Sequence, residues 1–390
     1  TRIPAERDLA STFLESRATI RQALDFLETY GAVARRAGSG TFVSYRVPES
    51  HRRTLPDTSG LLNIIAIAEN DDMRSPNEKN VLKDTFKSAA EVVEQCADVD
   101  VIIKGWIDLP REALQGLPRL KAIIRAGIGV DMVDIAAATD LGILVCNTAT
   151  YCLDEVSNQA LVLLLALNRQ LMAHAARIRE GGWGVRDVPN PRRLKGQTLG
   201  LVGIGNIGRQ VAAKAAGFDL KVVAHDPYLQ VDHVEITGVG AVPLLGLNEM
   251  LRTADIVSLH CPLSPATRHL IGAPQLAQMR PGTILINTAR GGLIDQDALV
   301  HALRSGHLGA AGLDVTTPEP LPNPHPLREL PNALVTPHTA SISVESGIDC
   351  RNATVDHAVA LLGGHVPTDV MNRAVLAPGR WRGAPDYSGA

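Results

Sequence analysis

Residues 198–217 read TLGLVGIGNIGRQVAAKAAG. A short apolar run ends in Gly203-x-Gly205-x-x-Gly208 and passes directly into an alanine-rich helical pattern. Each glycine has its own physical use: a tight turn, close approach of backbone to a pyrophosphate, and close packing of helix on strand. The helix N-terminus that follows offers free N–H groups and a positive dipole end to phosphate. The next apolar run, KVVAHDPY, ends in Asp226, 18 residues beyond Gly208. A carboxylate there accepts both ribose hydroxyls and repels a 2′-phosphate, which favours NAD over NADP. A lone glycine pattern of this kind also occurs in turns without a ligand. Here the strand before it, the helix after it and the acid ending the next strand all agree.

The same alternation continues outward in both directions. LLNIIAIAE, VDVIIKG, LKAIIRAG and GILVCNT precede the glycine unit, and ADIVSLH, GTILINT, LGAAGLDV and ALVTPH follow it. Short buried runs separated by helical or turn segments imply α/β structure with parallel sheets covered on both faces. In a doubly wound sheet the carboxyl ends of the strands share one edge, where ligands bind. Three polar residues fall at successive strand ends: Arg290 after GTILINTA, Glu319 in the loop after GAAGLDV, and His338 directly after NALVTP. The set suits oxidation of an alcohol next to a carboxylate. Arg290 would clamp the carboxylate or polarise the carbonyl. His338 would take the hydroxyl proton as hydride leaves for the cofactor, and Glu319 would orient the imidazole.

Composition sets the outer bounds. The 390 residues carry 38 Lys and Arg against 41 Asp and Glu, a net charge of −3. That excludes nucleic-acid binding over the whole surface and leaves room for a local basic patch. Aromatics are 3% of the chain, so the core must be built from Ala, Val, Leu and Ile. The five cysteines have no C-x-x-C spacing and read as reduced thiols of a cytoplasmic protein; no metal is expected. ALVLLLAL is too short to span a membrane and is followed by Asn168 and Arg169.

LVGIGNIGRQVA, LHCPLSPATRHLIG, INTARGGLID, GLDVTTPEPLP and VTPHTA resemble the successive signatures of the D-isomer-specific 2-hydroxyacid dehydrogenases. The resemblance runs from about residue 60 to 376. TYCLDEVSNQALVLLLAL and RRLKGQTLGLVG look most like the C-terminal-binding-protein-like and phosphoglycerate-dehydrogenase-like branches. It implies two Rossmann-like domains. The substrate domain would comprise residues 60–148 and 342–376, because the chain returns to it, and the NAD domain residues 149–341. It implies Arg290, Glu319 and His338 as the catalytic set. Asn206, Ile207, Asp226, Thr288, Ala289 and Asp314 would line the NAD site. Arg125, Ala126, Gly127, Ile128 and Gly129 would contact the carboxylate of a small 2-oxoacid or 2-hydroxyacid. The long helical pattern after Tyr151, about residues 153–180, would cross a homodimer interface, its ALVLLLAL run being too apolar to face water. Ser341, Asn158 and Gln159 depart from the family pattern.

Residues 1–46 have a different texture. PAERDLASTF reads as a helix with Pro4 in its first turn. Residues 16–33, SRATIRQALDFLETYGAV, place Ile20, Leu24 and Leu27 on one stripe and Arg17 and Arg21 on the other side. Ser16 stands as N-cap and Gly31 as the stop. AVARR, AGSG and TFVSY read as a hairpin, and residues 47–59 as a linker. The segment resembles a partial GntR-type winged helix-turn-helix without its first helix. By that resemblance Arg7, Ser16, Arg17, Thr19, Arg21 and Gly38 would contact DNA. Leu14 and Glu15 replace the usual turn residues. Residues 377–390, rich in Gly, Pro, Arg and Ser, are expected to be disordered.

The first functional expectation is therefore an NAD-dependent D-2-hydroxyacid dehydrogenase with a winged-helix segment. The alternative is a GntR-type transcriptional regulator that uses the dehydrogenase body as an NADH or oxoacid sensor. The presence of all three of Arg290, Glu319 and His338 favours the enzyme, because a sensor needs no general acid.

Overall fold

A computed structural model describes residues 88–183 and 191–384, together with the strands β1 (Val33–Arg36), β2 (Gly40–Val43) and β3 (Ile64–Ile67). The chain divides into two units, Thr1–Gly60 and Leu61–Ala390. In the first unit β1 and β2 pair antiparallel, Val33 opposite Val43 and Arg36 opposite Gly40. This is the expected hairpin. The expected helices of this segment, the linker 47–59, and Arg7, Ser16, Arg17, Thr19, Arg21 and Gly38 lie outside the described residues.

The second unit contains two parallel sheets. In the first, β3 is followed by β4 (Val101–Lys104), β5 (Ala122–Arg125) and β6 (Leu144–Asn147), paired in sequence order. Successive side chains point to opposite faces. Ile102, Ile123 and Val145 pack with Val92, Leu114 and Ala137 from the helices Ala89–Gln95, Arg111–Gln115 and Ile135–Asp140. Val101, Ile124 and Cys146 pack on the other face with Leu361, Val370, Val375 and Trp381. The chain thus returns through the helix Val344–Leu362 to cover this sheet.

That return corrects one expectation. Residues 377–384 are ordered rather than disordered. Trp381 is buried, and its Nε1 donates to the Lys121 carbonyl at 2.9 Å. A composition argument weighs Gly, Pro and Arg; it misses that a single indole packs into the apolar face.

The second sheet holds β7 (Thr198–Val202), β8 (Lys221–His225), β11 (Ile256–Leu259), β12 (Thr283–Asn287), β13 (Leu308–Leu313) and β14 (Ala333–Val335). The hairpin β9 (His233–Ile236) and β10 (Gly240–Pro243) intervenes in sequence. The order is β14-β13-β12-β11-β7-β8, all parallel. From β7 the chain steps outward to β8, then returns to β11 on the opposite side of β7. The reversal opens a crevice at the carboxyl end of β7, where the glycine loop begins. Helices 153–168 and 206–216 cover one face, and helices 247–253, 273–278 and 296–304 the other.

The helical pattern 153–180 is two helices, Leu153–Asn168 and Leu171–Arg179, broken where Gln170 takes a left-handed conformation at φ 52°. The ALVLLLAL run does not wait for a partner. Ala160, Leu161, Leu163, Leu164 and Ala166 are buried within this chain, and Leu163 faces the bare Cα of Gly312. Of that run Val162 is exposed, and further exposed apolar surface lies on the second helix, which buries no residue. Leu171, Met172 and Ile178 are open there, with Trp183 just beyond.

Candidate active site

The three glycines of the 203–208 loop do three different things. Gly203 has φ +93°, and a Cβ there would stand 2.9 Å from the backbone of His260 and Cys261, between the β7 and β11 loops. Gly208 lets its helix close onto the loop, because a Cβ would overlap the Gly203 carbonyl. Gly205 has open space above it and caps the helix Asn206–Ala216. Asn206 is exposed and Ile207 half-buried in the first turn. The Asp226 carboxylate lies beside this loop, accepting the Ile204 N–H at 3.2 Å and the Tyr228 N–H at 3.1 Å. Thr288 is buried with its Oγ1 unpartnered, next to Ala289, whose N–H is bonded to Asn287. The open space over Gly205, the free helix end and the orphan hydroxyl fit a dinucleotide cofactor. His260, not anticipated from the sequence, follows β11 directly and lies beside Gly203. Its Nε2 meets Ser258 Oγ at 2.9 Å and its sealed Nδ1 has no partner. Burial pushes it down to about 4, so its ring is neutral near pH 7.

At the next strand ends the expected trio comes together. His338 Nδ1 lies 2.7 Å from Glu319 Oε2, and the other carboxylate oxygen accepts the Thr316 N–H at 2.9 Å. Burial raises the Glu319 carboxyl, but the His338 hydrogen bond and charge, the Thr316 N–H and Arg290 outweigh it. The net shift is downward. His338 itself sits at φ 54°, a left-handed conformation uncommon for a side chain with a Cβ. Its turn is held by Asp314, placed among the cofactor residues in the sequence. In the structure the Asp314 carboxylate faces this turn. It is buried and accepts from Thr336 Oγ1 at 2.5 Å, Thr339 N at 3.0 Å and Ala340 N at 2.8 Å. Its carbonyl accepts the His338 N–H.

Arg290 reaches from the NAD-side sheet to the loop after β5. Its Nε donates to Asp131 Oδ1 at 2.8 Å and its Nη1 to the Ala289 carbonyl at 2.8 Å. A Cβ at Gly129 would overlap its Nη2, and a Cβ at Gly291 would overlap the Thr316 backbone. Glycine is thus required at 291, where the neighbour is backbone, while a side chain at 129 would displace the end of the arginine itself. Arg125, expected to touch the substrate carboxylate, is 2% exposed and folds under the 126–129 loop. It donates to the Ala126 and Gly129 carbonyls and occupies the space a Gly127 side chain would need. Asn147 holds the same loop through the Ile128 carbonyl at 2.6 Å. Trp106 bridges the groups: its ring is 4.5 Å from the His338 ring, edge to face, and 4.8 Å from the Arg125 guanidinium.

Residues 161–340 match the family model for the NAD-binding domain of D-isomer specific 2-hydroxyacid dehydrogenases. A glyoxylate reductase of Korarchaeum cryptofilum is 35% identical over 289 residues, 73% of this chain and 86% of that protein. The chain belongs to the D-isomer-specific 2-hydroxyacid dehydrogenase family. Within it, a D-3-phosphoglycerate dehydrogenase of Methanocaldococcus jannaschii is 36% identical over 283 residues, 72% of this chain and 53% of that protein. The chain therefore spans about half the length of the phosphoglycerate dehydrogenase relatives it matches. The D-lactate dehydrogenase of Aquifex aeolicus, solved with NAD and lactic acid, superposes with a TM-score of 0.71 at 26% identity. That match covers 80% of this chain and 99% of the other. Residues 1–43 match a second model, the gntR family of bacterial regulatory proteins. No helix among the described residues is long and apolar enough to cross a membrane, and none of their side chains cluster as a metal site.

Membership makes NAD the cofactor of this dehydrogenase fold. Asp226→Ala is expected to remove an acceptor for the ribose hydroxyls and a charge that repels a 2′-phosphate. The expected loss is about 1.5–3 kcal/mol, roughly 10- to 100-fold in NADH affinity, with NADPH affected little or improved. Fluorescence titration of both cofactors checks this. Equal affinity of the unmodified protein for the two would contradict it.

Sequence reasoning missed Asp131, Trp106 and His260. Each had a signal. Asp131 follows Gly129 by two residues in the loop expected to meet the substrate. Trp106 is one of three tryptophans and directly follows a strand run. His260 ends the ADIVSLH run, as His338 follows NALVTP.

Proposed function

We propose that this protein is an NAD-dependent oxidoreductase that interconverts a D-2-hydroxyacid and its 2-oxoacid. The observation that carries the reading is the His338–Glu319 pair at 2.7 Å, at the same sheet edge as Arg290 and the glycine loop. With Nδ1 held by Glu319, His338 Nε2 gives a proton to the carbonyl oxygen during reduction and takes it back during oxidation. The bound NAD(H) supplies or accepts the hydride. Arg290 aligns the carboxylate and polarises the carbonyl. The 126–129 loop, backed by Arg125, closes the carboxylate end. The family relatives named glyoxylate reductase and D-3-phosphoglycerate dehydrogenase support this reaction class. An NADH-oxidation screen over glyoxylate, pyruvate, hydroxypyruvate, phosphohydroxypyruvate and branched 2-oxoacids tests it. Turnover of none of them would overturn it.

A second reading concerns the first unit. The gntR match over residues 1–43 favours a DNA-contacting head, with Arg17 and Arg21 at the start of a recognition helix. A homodimer through the exposed Leu171, Met172, Ile178 and Trp183 surface would pair two heads and read two-fold half-sites. We place this protein in the cytoplasm. Sedimentation together with a mobility-shift selection on random duplexes tests dimer and head at once. A monomer, or shifts insensitive to Arg17→Ala, would remove this reading and leave the enzyme.

A further inference from the structure

Of the groups around the trio, Asp131 makes the most directed contact. It stands in the loop after β5, 159 positions from Arg290 in sequence, and accepts the Nε–H of that arginine. Both side chains are largely withdrawn from solvent, 24% and 19% exposed. The partition of donors on the guanidinium is specific. Nε–H goes to Asp131 and one Nη1–H to the Ala289 carbonyl, while Nη2 lies against the bare Cα of Gly129. A guanidinium has five N–H donors in a fixed fork. Those two bonds leave three donors, one on Nη1 and both on Nη2, for a planar carboxylate.

We propose that Asp131 is a positioning residue: it fixes the Arg290 side chain from the opposite domain so that its remaining donors are aimed before the oxoacid arrives. This rests on the substrate role assigned to Arg290. The side chain of an arginine has several rotatable bonds, and Ala289 alone holds only one end of the fork. The Asp131 bond at Nε sets the plane, and Gly129 sets the depth. A negative charge beside the site also opposes an incoming carboxylate. The acceptor oxygen rather than the charge is therefore the useful part of Asp131, and the two are separable by substitution.

The test is a double-mutant cycle of Asp131→Ala and Arg290→Ala, with Asp131→Asn alongside. Two readouts are taken on NADH-loaded protein: kcat/KM for the best 2-oxoacid of the screen, and oxalate affinity by calorimetry. Asp131→Ala is expected to lower both by about 10- to 100-fold, the scale of a misplaced reacting group. NADH affinity and melting temperature should stay near those of the unmodified protein. Asp131→Asn, which keeps the acceptor, should remain within about threefold of it. In the Arg290→Ala background Asp131→Ala should cost nothing further. An undiminished cost in that background overturns the proposal, because Asp131 would then act by another route. So does an Asp131→Asn variant as impaired as Asp131→Ala, or an Asp131→Ala variant with both readouts unchanged. If the unmodified protein reduces no oxoacid, the functional reading fails by itself, and the oxalate cycle still decides whether Asp131 acts through Arg290.

Discussion

Replacing His338 with alanine is expected to lower kcat by about 10²- to 10⁴-fold, the range for loss of a positioned general acid-base. Every contact around the ring serves its orientation. Glu319 holds Nδ1 at 2.7 Å, Asp314 ties the turn by its carbonyl and carboxylate, and Trp106 bounds the ring at 4.5 Å. The hydrogen bonds of these partners go to the His338 turn and to Thr316 rather than to the glycine loop, so NADH affinity is expected to change little. Steady-state kinetics with a parallel NADH titration checks the split. An unaltered kcat would show that another group moves the proton. The carboxylate behind the ring adds a pH dependence of known sign. The Glu319 carboxyl is lowered in the fold, so its stabilising contribution is present above the ordinary carboxylate range. It is lost as pH falls through the lowered value. Acid inactivation should therefore lie below the range in which a free glutamate titrates.

Arg290→Ala should lower kcat/KM for the oxoacid by about 10²- to 10³-fold, comparable to deleting one preorganised donor at a developing charge. The substitution also removes the bond to Asp131 across the two domains, leaving a partly buried carboxylate without its cation. A conservative Arg290→Lys variant should recover little. Lysine is a point charge and cannot share Nε, Nη1 and Nη2 among Asp131, Ala289 and a carboxylate. Recovery of most of the activity by lysine would show that charge alone is sufficient. Full activity in both variants would move the site elsewhere.

Much of this architecture is written locally. Gly203, Gly205 and Gly208 are legible because a phosphate-approaching turn restricts the residue type at each position, and their spacing is read within one stretch. Arg290, Glu319 and His338 are legible because each follows an apolar run, and parallel strands must end on one edge. The alternation of Val101, Ile102, Ile103 and of Ala122, Ile123, Ile124 fixes two covered faces before any coordinates are seen.

What the sequence could not supply is which loops meet. Asp131 and Arg290 are separated by 159 positions, and no local pattern pairs them. Arg125 and Asp314 sit at strand ends, as ligand-contacting residues do. Only the packed structure turns the first under its own loop and the second into the turn that carries His338. The same holds for the surface. A run as apolar as ALVLLLAL signals burial, but burial against what is a tertiary question, and its own sheet answers it before any partner can. Trp381 makes the converse point, since one side chain in a polar tail joins Leu361, Val370 and Val375 on an apolar face of the first sheet. Backbone chemistry and periodicity are short-range properties, so the sequence by itself determined the strands, the cofactor loop and the edge where the chemistry gathers. Side-chain partners across that edge depend on distances between segments far apart in the chain, and those were decided only when the two sheets and their loops packed together.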